Sequence, residues 1–177
     1  MPELIAPTTH LHDAWLDAHA EWGPGAHEDG FGLAPTDEVD SSAGFTAWVK
    51  RLTNDEDTTY QWIAEDNRVL GGIALRHSFD DYVKWAGHIG FGIRPTARGR
   101  GLAAWALGRM LNQAQVLGMD RVLVVCAMHN IASAKTIERA GGIFEEVRNT
   151  RHGPARHYWI KLARPTESPH ADRNPTD

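Results

Sequence analysis

The sequence predicts one mixed α/β domain, with a largely antiparallel sheet, one parallel βαβ crossover in its middle and helices flanking it. Three observations predict this. Two amphipathic helical segments open the chain, alternating segments joined by a tight turn follow, and a glycine turn then links a strand to a long amphipathic helix. A chain of 177 residues suits a single compact domain and can bury a core without staples.

The elements are read in chain order. Thr9 is placed to cap a helix over 9–22, with Leu11, Trp15 and Ala18 on one face. Residues 23–40 read as a long loop carrying Glu28, Asp29, Asp37, Glu38 and Asp40, and long irregular loops in compact domains are often functional. Ser41 or Ser42 starts a second helix, with Phe45, Trp48, Val49 and Leu52 at helical spacing. Residues 58–65 alternate as a strand, Asp66-Asn67 turns the chain, and 69–78 return as the second arm of a hairpin. A further strand over 86–93 is stopped by Pro95. The helix over 99–117 places Ala103, Leu107, Met110, Leu111, Ala114 and Leu117 inward, with Gly118 beyond its end. A buried strand over 121–127, a short helix over 131–140 and strands over 143–148 and 156–162 complete a domain spanning 1–162. Residues 163–177 hold Pro165, Pro169 and Pro175 but no large aliphatic side chain, which predicts a disordered tail.

Composition narrows the function classes. Eighteen basic residues against twenty-three acidic ones give a net charge of −5, which argues against a nucleic-acid partner. The single cysteine, Cys126, excludes a disulfide framework and a multi-cysteine zinc site. At the end of an apolar strand it reads as a small hydrophobe. His10, His12 and His19 form no metal pattern and read as solvated helix residues, so no metal is expected. The start of the chain has no signal-peptide pattern, and the longest apolar run, 122–128, is too short for a bilayer. A cytoplasmic protein without a membrane partner is the expectation. The seven tryptophans are expected in the core or in a pocket wall.

The chemistry concentrates in the turn Arg98-Gly99-Arg100-Gly101-Leu102-Ala103-Ala104. Glycines let a ligand approach the backbone closely, and the unpaired N–H groups of the helix start favour an anion such as pyrophosphate. Arg98 and Arg100 add charged donors. The turn is not a Walker loop, since Leu102-Ala103 follows Gly101. It satisfies the dinucleotide fingerprint Gly99-x-Gly101-x-x-Ala104, but the next strand ends at 126–129 without the acid that would hold ribose hydroxyls. An NAD-type oxidoreductase is therefore the weaker enzyme reading.

The segment Arg98-Gly99-Arg100-Gly101-Leu102-Ala103 resembles the Arg/Gln-x-x-Gly-x-Gly/Ala motif of the GNAT N-acetyltransferase superfamily. Residues 120–126 and the helix from Asn130 to Gly142 resemble that superfamily's following strand and helix. Residues 87–95 and 157–162 resemble a bacterial subgroup of acetyltransferases, so the likeness runs from about Gly71 to Leu162. It implies a GNAT-like fold and acetyl-CoA as cosubstrate. The acetyl group would pass directly, in a ternary complex, to the primary amine of a small molecule, cationic ones included. A homodimer is compatible with it. The resemblance maps Phe91, Gly92 and Ile93 to the pantetheine arm and acetyl carbonyl, where a backbone N–H would stabilise an oxyanion. It maps Arg98, Gly99, Arg100, Gly101, Leu102, Ala103 and Ala104 to the pyrophosphate, and Asn130 and Ser133 to the pantetheine or phosphate side.

Acid–base roles follow less directly. The superfamily often takes its acid from a Tyr seven residues after the Asn, and here that position is Ile137. Tyr158 or an ordered water stands in as donor to the thiolate. His88 has two readings, a general base beside the cofactor or a hydrogen-bonded core histidine. Counting back from Arg98, the superfamily's bases on this strand fall at Gly87 or Ile89, and a β-bulge would bring His88 into place. Glu28 and Asp29 in the acidic loop are placed to hold the acceptor amine. The missing Tyr keeps a second class open, a non-catalytic acyl-CoA-binding module.

Overall fold

The structure, a computed structural model, describes residues 1–23 and 29–164. Seven strands form one sheet in the order β1-β2-β3-β4-β5-β7-β6. β1 (Glu3–Ile5) pairs antiparallel with β2 (Thr58–Glu65). Three residues are too few for alternation to be read, so this strand has no sequence signature. β2 and β3 (Arg68–Arg76) form the predicted hairpin. Asp66 and Asn67 at its tip have φ of 49° and 62°, the left-handed pair that matches the twist of a two-residue hairpin.

The helices differ from the expectation in one instructive place. α1 (His12–Trp22) and α2 (Ser42–Thr53) bury the predicted faces, and the Ser41 side chain caps α2 by accepting from the Gly44 amide. α3 (Asp81–Ala86) is unpredicted: Asp80 caps it by accepting from the Val83 amide at 2.9 Å. It takes the first residues of the strand predicted over 86–93, so β4 runs only from Ile89 to Ile93. After a short 3₁₀ turn (Pro95–Ala97), α4 (Leu102–Val116) crosses to β5 (Arg121–Ala127), which pairs in parallel with β4. α5 (Ile131–Arg139), β6 (Ile143–Thr150) and β7 (Gly153–Lys161) follow. Leu117 is corrected: it caps the end of α4 and is 53% exposed, while Leu102, Ala106, Leu107, Met110 and Ala114 form the inward row.

The sheet separates two cores. Adjacent strand residues point to opposite faces, so Ile63 joins one cluster and Trp62 the other. The first packs Ile73, Leu75, Ile89 and Val124 against α4 and α5. The second gathers Trp15, Phe31, Phe45, Trp48 and Trp62 beneath α1 and α2, with Trp15 and Trp48 ring centroids 4.6 Å apart. His12 and His19 are not merely solvated, which corrects the expectation. His12 stacks on Phe45 at 4.0 Å with its Nε2 2.7 Å from the Val39 carbonyl oxygen, and His19 stacks on Trp15 at 4.8 Å. At the end of the chain, the Leu162 amide donates to the Asp120 carbonyl at 2.9 Å, and Arg164 Nε lies 4.0 Å from Asp120. The rest of the expected tail, 165–177, lies outside the described residues.

Candidate active site

The site grows from a defect in the sheet. β4 matches β3 along its whole length, from Gly71↔Ile93 to Leu75↔Ile89. With β5 it shares a single register pair, Ile89↔Val124. The Arg76 amide donates to the His88 carbonyl at 2.7 Å and the Arg94 amide to the Leu70 carbonyl at 2.8 Å. Antiparallel alternation therefore turns the peptide groups of Gly90 and Gly92 toward β3, and those of Phe91 toward β5. Since pairing with β5 stops at Ile89, the Phe91 amide faces an opening between the strands. A pocket of about 190 Å³ occupies that opening, lined on one side by Gly90 and Phe91 and on the other by Val125, Cys126 and Ala127. Of the three β4 residues predicted to meet a cofactor, Phe91 is thus presented to the cleft, and Gly92 is committed to β3. The Ile93 carbonyl accepts from Arg98 Nε at 3.0 Å.

Glycine is required here for close approach. A Cβ on Gly92 would stand 2.7 Å from the Asp29 carbonyl oxygen, so the segment around Asp29 lies directly on β4. Asp29 lines the pocket with Gly30 and Gly32. Glu28, its predicted companion, lies outside the described residues.

The glycine turn has a different reason for its glycines. Gly99 and Gly101 have φ of +78° and +75°, and a Cβ on either would meet nothing within 4 Å. The backbone conformation selects glycine, and the space over the turn is open. Gly101 is the N-cap of α4 and no side chain caps the helix, so its first amides keep their donors available to an anion. Arg98 lies with its guanidinium 5.5 Å from the Trp22 ring centroid. Arg100 is ion-paired to Glu65 at 2.7 Å, and this pairing holds the Glu65 carboxyl below its ordinary range. Leu102 is buried in the core beneath the turn, Ala103 is half-buried, and Ala104 is exposed.

Asn130 and Ser133 also line the pocket. Asn130 caps α5, its side-chain oxygen accepting from the Ser133 amide at 3.1 Å.

The two expected acid–base residues are elsewhere. His88 is 4% exposed and outside the pocket lining; its Nδ1 accepts from the Leu123 amide at 2.8 Å, and its ring stacks on Phe79 at 5.6 Å. Burial, aided by the Arg76 charge, pushes its pKa down to about 4, so it is neutral at physiological pH. The core reading of His88 is the one this geometry favours, because α3 displaces it from the regular strand. Tyr158 is fully buried, also outside the pocket lining, and its hydroxyl donates to Glu138 at 3.0 Å. Ile137 is fully buried in the core, so α5 offers no hydroxyl there. Cys126 lines the pocket as a buried thiol whose pKa burial pushes up to about 11.

Arg76, Tyr82 and His152 line the pocket and were not anticipated; Trp85, one of the tryptophans expected in the core or a pocket wall, lines it too. Tyr82 and Trp85 belong to α3, whose six residues are too short to show helical periodicity. The Asp80 cap was the one available signal.

A model of the acetyltransferase (GNAT) domain family matches residues 21–143. The chain belongs to the GNAT acetyltransferase family. A search of curated protein sequences finds no match. Among solved structures, the microcin self-immunity acetyltransferase MccE, in complex with acetyl-CoA and AMP, is similar with a TM-score of 0.68 and 15% identity over 91% of this chain and 92% of its own. The Salmonella typhimurium acetyltransferase yncA, with its cofactor acetyl-CoA, gives 0.64 and 14% over 94% and 96%. RimL, a ribosomal-protein alpha-N-acetyltransferase in complex with coenzyme A, gives 0.67 and 16% over 91% and 94%. The mostly antiparallel sheet with one parallel pair is thus the GNAT fold. Among the described residues, no group of His, Cys, Asp and Glu could hold a metal ion, and no helix is long and apolar enough to cross a membrane.

Proposed function

We propose that this GNAT protein is an acetyl-CoA-dependent N-acetyltransferase that moves the acetyl group directly to the primary amine of a small molecule. The observation that carries the reading is the parting of β4 from β5 after Ile89↔Val124, with a pocket on the gap and an open glycine turn beside it. The fit to acetyl-CoA is specific. The turn at Gly99 and Gly101 has free space and uncapped helix amides for a pyrophosphate, and the Phe91 peptide faces the gap where a pantetheine amide would pair as a missing strand. When bound, acetyl-CoA supplies an activated acyl thioester. Asn130 and Ser133 line the same pocket as Phe91 and would border the same arm.

The acceptor must lose a proton before it attacks. Asp29 and His152 both line the pocket and are groups of the right chemistry. Asp29 holds the ammonium by charge, and His152 accepts its proton. A pocket of about 190 Å³ suits a small amine. The test is release of free thiol from acetyl-CoA across a panel of small amines and short peptides, with acetylated product identified by mass spectrometry. Acetylation of a small amine confirms the reading. Acetylation of peptide N-termini alone overturns its acceptor, and tight acetyl-CoA binding with no transfer to any amine supports a non-catalytic acyl-CoA-binding module instead.

A further inference from the structure

The acceptor end of the pocket is not simply acidic. Arg76, the last residue of β3, lines it with Asp29 and Gly30, half-buried beside Gly90. A Cβ on Gly90 would lie 3.8 Å from both terminal nitrogens of the Arg76 guanidinium, so that group sits over β4 at the gap itself. One of its N–H groups is spent: Nη1 donates to the Gly87 carbonyl at 2.9 Å, which fixes the guanidinium in place. Its face lies 4.9 Å from the Tyr82 ring centroid. No carboxylate among the described residues forms an ion pair with it. A half-buried, oriented guanidinium with donors to spare, walled by an aromatic ring, is a site for a planar or tetrahedral oxyanion.

We propose that the acceptor is zwitterionic: its amine lies toward Asp29, and an oxyanion on the same molecule, carboxylate or phosphate, is held by Arg76. Tyr82 and Trp85, with ring centroids 4.8 Å apart, provide an apolar wall for the remainder of the molecule. The inference rests on the acceptor site of the proposed N-acetyltransferase and narrows its substrate class. Arg76 is the specificity-determining residue: it selects the acceptor and takes no part in proton transfer.

The experiment is calorimetric binding to the coenzyme-A-loaded protein of matched pairs, L-phenylalanine against L-phenylalaninamide, and O-phosphoethanolamine against ethanolamine. At least one anionic member binds about tenfold or more tightly than its neutral partner, as expected of a hydrogen-bonded charge pair. The pair that shows the preference identifies the oxyanion. Arg76→Gln brings the members of that pair to within about twofold of each other, and Arg76→Lys restores part of the difference. Because Arg76 also braces Gly87, the wild-type preference is decisive even if a variant fails to fold. Equal affinity within both pairs, no binding by either anionic member, or a preference that survives Arg76→Gln overturns the proposal. Coenzyme A binding, recorded in the loading step, reports on the cofactor site separately, so its failure is distinguishable from failure of acceptor selection.

Discussion

Arg94, at the end of β4, is buried to 3% exposure by its pairing with Glu21 in the last turn of α1. Arg94 Nε and Nη2 both donate to Glu21 Oε1, and Nη2 also reaches Asp17 at 2.7 Å. Glu21 in turn accepts from the Thr96 hydroxyl and amide. One carboxylate therefore ties α1 to the turn that leads into Gly99 and Gly101. The Arg94 guanidinium holds the Glu21 carboxyl down at a pKa of about 2.

Glu21→Gln is expected to cost about 2 kcal/mol, since it leaves a buried guanidinium with a weakened partner. That corresponds to a drop of about 4–8 °C in Tm for a domain of this size. A carboxylate with a depressed folded pKa stabilises above its unfolded value and loses that contribution as pH falls. The gap between wild type and variant should be full at pH 7 and close between about pH 4.5 and about pH 2. Thermal melts of both proteins over that range check it.

His88 gives a prediction of the same sign in a higher pH window. Its folded pKa of about 4 lies below the usual 6.5, so folding favours the neutral ring. Its contribution is complete above pH 6.5 and fades as pH falls toward 4. His88→Phe fills the space beside Phe79 and Trp159 but leaves the Leu123 amide without its acceptor, costing about 1–3 kcal/mol. The variant should melt earlier at pH 7, with a smaller loss at pH 5. Its activity should keep the wild-type pH profile; a lost acid limb would instead make His88 the base.

His152→Gln should lower kcat by about 10²–10³-fold while leaving acetyl-CoA affinity unchanged, the size of effect expected on removing a general base. The pH profile of kcat/KM is the discriminating readout. A changed profile is expected in the variant, and an unaltered profile would remove His152 from the proton path.

Much of the fold is legible in the residues. Trp15, Phe45, Trp48 and Leu52 recur at helical spacing because one stripe of each opening helix is buried, and all four are core residues. Asp66-Asn67 announces its hairpin because few residue pairs tolerate two positive φ angles. Gly99 and Gly101 mark the turn for the same reason. What escaped was either short or long-range. β1 and α3 have too few residues to show a period, and without α3 His88 kept two readings, a base beside the cofactor or a core histidine. The Arg94–Glu21 pair spans 73 positions of sequence, and nothing local in either residue specifies the other. Arg76 is one polar residue within the strand expected over 69–78; only the parting of β4 from β5 gives it a pocket to line.

The central claim is that the gap between β4 and β5 and the open turn at Gly99 and Gly101 together hold acetyl-CoA. Calorimetric titration of acetyl-CoA into wild type and Gly101→Val tests it most directly. Valine has free space at this position but cannot comfortably adopt a φ of +75°, so the turn must rearrange while the core beneath stays packed. Stoichiometric binding to wild type, at least tenfold weaker in a Gly101→Val protein that still melts cooperatively, is the predicted result. No binding to wild type, or equal affinity in the two proteins, would contradict the account.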